Sequence, residues 1–374
     1  MENNDMRRIG IFVFYDGKGT VDEYKIYLLK SLQPFLSDLI IVVNGFIENA
    51  GLEKLYEYTE YIYIRENRGN DCGAYKEVLI NKYKEIEWLQ YDEIILFNDT
   101  FYGPIIPWEN IFNEMSSEKL DFWGLSRKKG GTMIDGTVIA NHIQSFFLVI
   151  GRSMFCTPQW IRFWEELEYP NSYWDTVKNF EIRFTQFFAE CGFRFSSWLD
   201  QNGGGQYMED GMDSPYIAFA YDIVAQCSFP VVKYRALSLT NYRNASLLLN
   251  YIRKDTDYDE KLISRHLERM EKENRLKPFG IAQLEDFVAT HQKIYIFGHG
   301  QYGRGLADYF EARGWRMSGF VVSNPENEEE IGLENAHIER SDGIVVALAE
   351  KFVREVRTKL EERFEAKNLL FPRL

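Results

Sequence analysis

Short apolar runs alternate with amphipathic stretches from the start of the chain, and this alternation restricts the fold more than any other feature. "IGIFVFY" (9–15), "DLIIVVNG" (38–45), "EYIYIREN" (60–67) and "YDEIILFNDT" (91–100) read as strands. "VDEYKIYLLKSLQPF" (21–35) and "CGAYKEVLINKYKEIEWL" (72–89) carry helical patterns between them. Apolar strands separated by helices build a mostly parallel sheet covered on both faces. Ligands of such sheets bind beyond the carboxyl ends of the strands. Asp16, Asn44, Asn67, Asp71, Asn98 and Asp99 all fall at or just after such ends.

At 374 residues the chain has room for two domains. Its formal net charge of -14 argues against a nucleic acid or an anionic membrane held by bulk electrostatics, so any phosphate site must be made locally. Cys72, Cys156, Cys191 and Cys227 form no CxxC pair and read as reduced, buried thiols of a cytoplasmic protein. The five His show no zinc spacing. The apolar run 9–15 is too short for a signal peptide or a membrane span.

Further along, "HIQSFFLVI" (142–150) reads as a strand and "NFEIRFTQFFAECGFR" (179–194) as a helix closed by Gly192. "QNGGGQYMEDGMDSP" (201–215) has the composition of a loop over the site. A charged helix follows, and the pattern restarts at "KIYIFGHGQYGRGLADYFEARG" (293–314), a strand, a GxGxxG turn and a helix. The predicted division is a first domain over 1–250, a helical linker over 251–290 and a small Rossmann-like domain over 291–374. About twenty residues past the glycines stand Ser323 and Asn324, where a ribose-binding acid is expected, so NAD is not expected.

The densest polar stretch is "ENRGNDCGAY" (66–75), where a strand hands over to a helix. Gly, Asn and Asp are ordinary punctuation there, and Asp71 suits an N-cap. The same turn also fits a charged ligand, with Arg68 pairing a phosphate and the helix start offering N–H donors.

The segments "ENRGNDCGAYKEVL", "YDEIILFNDTFYGPI", "HIQSFFLVI", "NFEIRFTQFFAECGF" and, more weakly, "FPVVKYRAL" agree in order and spacing with one family. Most of residues 9–240 resembles the rhamnan synthesis protein F family, bacterial glycosyltransferases that build rhamnose-containing surface polysaccharides. The resemblance implies the A-type glycosyltransferase fold, an α/β mixed sheet with helices on both faces, and a nucleotide-sugar donor. It further implies transfer of a deoxysugar, typically rhamnose from dTDP-rhamnose, onto a glycan or lipid-linked glycan. The resemblance implies work at the inner face of the membrane with membrane-bound assembly proteins, and the soluble composition makes that encounter peripheral.

Residue by residue, the resemblance makes Asp16, Asn67, Arg68 and Asp71 donor-binding candidates, with Asp71 accepting from ribose or sugar hydroxyls. His142 and Gln144 become donor or acceptor contacts. Lys233, after Pro230, reads either as a neutraliser of the leaving diphosphate or as a plain surface lysine. In "FNDT" the paired carboxylates often carried by A-type glycosyltransferases are reduced to Asp99, which reads either as an anchor for Mg²⁺ or Mn²⁺ or as an Asx turn before Gly103-Pro104. Glu181, expected near a helix start where the dipole keeps it ionised, is the expected general base of an inverting displacement. The competing readings are a non-catalytic nucleotide-sugar or glycan binding module and, last, an NAD-dependent oxidoreductase built on 293–374.

Overall fold

A computed structural model of the chain describes residues 6–82, 85–132, 138–207, 215–238, 242–273 and 281–372. Two compact units divide the chain, Met1–Val232 and Lys233–Leu374.

In the first unit, seven strands form one sheet: β1 (Arg8–Tyr15), β2 (Asp38–Asn44), β3 (Ile62–Arg65), β4 (Glu93–Asn98), β5 (Phe122–Gly124), β6 (Phe147–Gly151) and β7 (Phe195–Ser197). Their order is β7-β5-β6-β4-β1-β2-β3. Every neighbouring pair is parallel except those made by β6, which runs against β4 and β5. The expected mixed sheet is therefore present.

Its two faces are apolar for the reason the sequence gives: β1 is buried from Arg8 to Phe14. Ile9, Ile11 and Val13 face a cluster with Tyr75, Trp160, Trp164, Phe180, Phe184 and Phe188. On the other face Phe12 and Phe97, register partners, stack at 5.0 Å, and Trp108 stacks on Phe147 at 4.8 Å. Trp108 belongs to helix Trp108–Ser116 and donates its indole N–H to Ser31 in helix Glu23–Leu32, 3.1 Å away. Helices thus cover both faces, and truncating a ring of this kind costs about 3–5 kcal/mol.

The antiparallel course of β6 matters most for the site. Parallel β1, β2, β3 and β4 end at Tyr15, Asn44, Arg65 and Asn98, while β6 begins beside the end of β4. The Asn98 N–H donates to the Phe146 carbonyl at 3.2 Å. Residues just before β6 therefore enter the edge where the other strands finish. The sequence reads 142–150 as one strand; instead His142–Ile143 pairs with Arg127–Lys128 and β6 starts afresh at Phe147.

In the second unit β8 (Ile294–Phe297), β9 (Gly319–Val322), β10 (Glu330–Gly332), β11 (Gly343–Val346) and β12 (Leu369–Leu370) form an all-parallel sheet in the order β10-β9-β8-β11-β12. Helix Tyr242–Asp255, expected partly in the first domain and partly in a linker, belongs to this unit. Tyr242 donates its hydroxyl to the Val346 carbonyl at 2.7 Å, and Asn250 donates to the Gly305 carbonyl at 2.6 Å. Those buried bonds move the division to Val232, away from 250 and 290. Of the expected loop at 201–215, Gln201 ends a helix, Gly204–Tyr207 forms a 3-10 turn, and 208–214 lie outside the described residues. Among the described residues no helix is long and apolar enough to cross a membrane. The free cysteines also differ from expectation: Cys72 and Cys227 are buried, Cys156 and Cys191 exposed.

Candidate active site

Arg65, the last residue of β3, fixes the polar turn that follows it. Its guanidinium donates to Asn44 Oδ1 at 2.5 Å, to both carboxylate oxygens of Glu77 at 2.7 and 2.8 Å, and to the Arg68 carbonyl at 2.7 Å. Asn44 in turn donates to the Asn70 carbonyl at 3.0 Å. Gly69 and Asn70 both adopt left-handed backbone, φ 75° and 53°. A Cβ on Gly69 would stand 2.5 Å from the Tyr169 ring, so glycine is required by packing as well as by conformation.

Gly69 is the N-cap of helix Asn70–Lys76, and Asp71 lies inside the first turn, which corrects the expected N-cap role. The predicted helix 72–89 is shorter, passing into a π-helical stretch at Glu77–Asn81. Asp71 Oδ1 accepts the Cys72 N–H at 3.0 Å, and Oδ2 accepts from Asn98 Nδ2 at 2.8 Å. Asn98 Oδ1 then accepts from the Thr100 hydroxyl at 2.7 Å. Burial pushes the Asp71 carboxyl above its ordinary value, the Asn98 bond pulls it back, and the Glu181 charge pushes it up again. Arg68 and Asn67 are exposed, and the Arg68 guanidinium rests 4.7 Å over the Tyr169 ring.

Glu181 is not near a helix start. Its helix begins at Tyr173, runs through a π-helical stretch at Val177–Ile182 and continues as Arg183–Glu190. The dipole acts over about one terminal turn, so its influence does not extend to Glu181. Ser145 fixes the carboxylate in place: Glu181 Oε1 accepts its N–H at 3.0 Å and its hydroxyl at 2.7 Å. The second oxygen, Oε2, stands 3.9 Å from His142 Nε2, and the Glu181 side chain is 16% exposed.

His142 is buried, and its Nδ1 lies 2.7 Å from the Ala140 carbonyl, which assigns the ring proton to that nitrogen. Burial lowers its pKa and the Glu181 charge opposes the shift, so the ring is neutral near pH 7. Two bonds tie the Glu181 helix to the polar turn and to the His142 segment. Asn70 Nδ2 donates to Thr176 Oγ1 at 2.8 Å, and the Ile143 N–H donates to Thr185 Oγ1 at 3.0 Å.

Gln144 points its amide elsewhere, accepting from Ser126 at 2.6 Å and donating to Tyr216 at 2.9 Å. Asp16 closes the turn after β1, its Oδ1 accepting the Lys18 and Thr20 N–H groups at 2.8 and 3.1 Å. Lys233 is buried and opens the second unit.

Asp99, the expected metal anchor, faces an ammonium. Lys25 Nζ stands 3.2 Å from Asp99 Oδ2 and 3.5 Å from Asp22 Oδ2. Burial raises the Asp99 carboxyl's pKa, Lys25 opposes that, and Asp16 adds to it. Among the described residues no group of three His, Cys, Asp or Glu is placed to hold a metal ion. With a cation already on Asp99, these residues do not fit Mg²⁺ or Mn²⁺.

The description "Rhamnan synthesis protein F" belongs to the family whose sequence pattern matches residues 39–314, well over half of the chain. The chain belongs to that family. A Sinorhizobium fredii relative, "Uncharacterized protein y4gN" (strain NBRC 101917 / NGR234), is 22% identical over 189 residues, 50% of this chain and 48% of that protein. The match thus spans about half the length of the curated relative. Among solved structures, a cytidylyltransferase from Leptospira borgpetersenii covers 71% of this chain and 95% of its own at 10% identity and TM-score 0.33. Mouse xyloside xylosyltransferase 1 covers 56% and 96% at 10% identity and TM-score 0.30.

Within this rhamnan synthesis protein F member, sequence reasoning passed over Arg65, Ser145 and Lys25. Lys25 had a local signal, since Asp22 and Lys25 are spaced as an i,i+3 pair. The early helix start had one too: Ser172 and Asp175 form a capping-box spacing, and Ser172 Oγ accepts the Asp175 N–H at 3.0 Å.

Proposed function

We propose that this chain is an inverting glycosyltransferase that moves a deoxysugar, rhamnose from dTDP-rhamnose, onto a growing bacterial surface polysaccharide. The observation that carries the reading is the Glu181 carboxylate at the edge where the strands end. One oxygen is fixed by Ser145, and the other is left beside a neutral His142.

In this reading Oε2 takes the proton of the acceptor hydroxyl as that oxygen bonds to the anomeric carbon. The bond from that carbon to the diphosphate breaks, and the diphosphate leaves with the electron pair. Ser145 keeps Oε1 occupied, so the basic lone pairs are aimed in one direction. Exposed rings of Tyr15 and Phe46, at the ends of β1 and just after β2, are available to stack on a nucleobase. Arg68, exposed and resting on Tyr169, is the cation positioned to swing toward phosphate. The acceptor would be a glycan or lipid-linked glycan met at the cytoplasmic face, through membrane-bound partner proteins.

A thermal-shift panel of dTDP-, UDP- and GDP-sugars tests the donor, because saturating ligand stabilises by several kcal/mol. The expected result is selective stabilisation by dTDP-rhamnose. A second reading, a nucleotide-sugar or glycan binding module without turnover, draws support from Asp99 being taken up by Lys25. Donor hydrolysis without acceptor separates the two: binding with no hydrolysis and no transfer favours the module.

A further inference from the structure

Lys25 is an unusual residue to find in the interior. It lies in helix Glu23–Leu32 with a side chain only 2% exposed, and a lysine is rarely buried this far unless paired. Its ammonium has three N–H donors. Three acceptors surround it: Asp99 Oδ2 at 3.2 Å, Asp22 Oδ2 at 3.5 Å and the Thr20 carbonyl at 3.5 Å. The faces of Phe14 and Tyr24 complete the enclosure, with ring centroids 5.1 and 5.5 Å from Nζ. Asp16, whose charge acts on Asp99, stands in the same neighbourhood.

We infer that Lys25 replaces the divalent cation at Asp99, and that this chain handles its donor without a bound metal; the second half rests on the transferase reading. A metal on Asp99 Oδ2 would meet the ammonium as a like charge within contact range. Admitting it would require Lys25 to leave a site where every donor has a partner and the stem is packed. The ammonium performs the electrostatic part of a cation's task, countering Asp99 and Asp22, but offers no open coordination position. It therefore fixes the loop after β4 without drawing phosphate oxygens to itself. The Tyr24 hydroxyl, donating to the Asp99 carbonyl at 2.9 Å, holds the same loop from the same helix.

The test is a titration of the full chain with Mn²⁺ alone, followed by electron paramagnetic resonance. Wild type is expected to leave the six-line signal of free Mn²⁺ undiminished at millimolar concentration. Lys25→Met, which leaves Asp22 and Asp99 facing each other, is expected to bind the ion, and adding Asp99→Asn to it to abolish that binding. Mn²⁺ bound by wild type and lost in Asp99→Asn overturns the inference, and that comparison needs no folded Lys25 variant. Thermal shift with dTDP-rhamnose, UDP-glucose and GDP-mannose, each in Mg²⁺ and in EDTA, gives the second readout. Equal shifts support the inference, and a shift that needs Mg²⁺ overturns it. A panel without any shift sinks the transferase reading and leaves the Mn²⁺ result to decide the cation question.

Discussion

Asp99 and Glu181 both stand at the edge of the first sheet where β1 to β4 finish and β6 begins, but their partners differ in kind. Asp99 faces a buried ammonium that also counters Asp22. Glu181 is held by a hydroxyl and an amide on one oxygen and approached by a neutral imidazole on the other. An ammonium partner commits a carboxylate to charge balance, whereas hydrogen-bond donors on one oxygen orient the group and leave the other oxygen free to accept a proton. The same residue chemistry therefore serves architecture in one place and, on the proposed reading, reactivity in the other.

The sharpest way to break that comparison is Glu181→Gln. The amide keeps Oε1 as an acceptor for Ser145 and loses the base. Turnover is expected to fall roughly 10²–10⁴-fold, as for loss of a general base, with donor affinity nearly unchanged. Near-normal turnover in a folded Gln variant would remove Glu181 from the mechanism. Stability should move by about 1 kcal/mol or less, one hydrogen bond's worth.

Lys25→Met should show the opposite profile. Removing one partner of a buried ion pair leaves the other uncompensated and costs about 3–5 kcal/mol. Denaturant unfolding checks this, and a loss under about 1 kcal/mol would show that Asp99 and Asp22 do not depend on the ammonium. Asp99→Asn distinguishes charge balance from metal binding by the equality of its effect with and without Mg²⁺.

The difference between these two sites is also the difference between what could and could not be read from the sequence. Strands such as 9–15 and 38–44 were legible because both faces are apolar, and period and length decide such elements locally. Asp71 and Asp99 were legible as candidates because polar residues at strand ends stand out, and Glu181 because of the family resemblance. Their partners were not. Ser145 meets Glu181 from 36 residues away and Asp71 meets Asn98 from 27, distances over which no periodicity carries information. The π-helical stretch that carries Glu181 was equally hidden, since its sequence reads like that of an ordinary helix.

A smaller effect sharpens the part that lies between the two carboxylates. Gly69→Ala forces a side chain into left-handed backbone, at about 1–2 kcal/mol, and drives its Cβ toward the Tyr169 ring. Because Tyr169 also supports Arg68, the variant should weaken nucleotide-sugar binding in thermal shift along with stability. A variant as stable as wild type would mean the turn relaxes without cost.

The smallest and most diagnostic change is Asp71→Asn, since Asp71 is bonded to Asn98 next to Asp99 and feels the charge of Glu181. Its folded pKa lies above the ordinary carboxylate value because burial disfavours the ion. A raised folded pKa means that the folded protein holds the proton more tightly than the unfolded chain. The stability this supplies is fully present below the unfolded value, about 4, and is lost as pH rises through the folded one. At neutral pH the buried Asp71 carboxyl is therefore a cost to folding. The amide removes that charge but offers one acceptor oxygen in place of two, so either the Cys72 N–H or Asn98 Nδ2 loses a partner. These opposed changes should leave the variant within about 1 kcal/mol of wild type at neutral pH. The pH trend is the firmer expectation, since groups that do not interact with Asp71 are common to both proteins and cancel. Measured by denaturant unfolding, the variant should gain on wild type as pH rises from about 4 toward neutrality. A difference that stays flat, or drifts the other way, would show that Asp71 does not carry a buried charge between the two carboxylates.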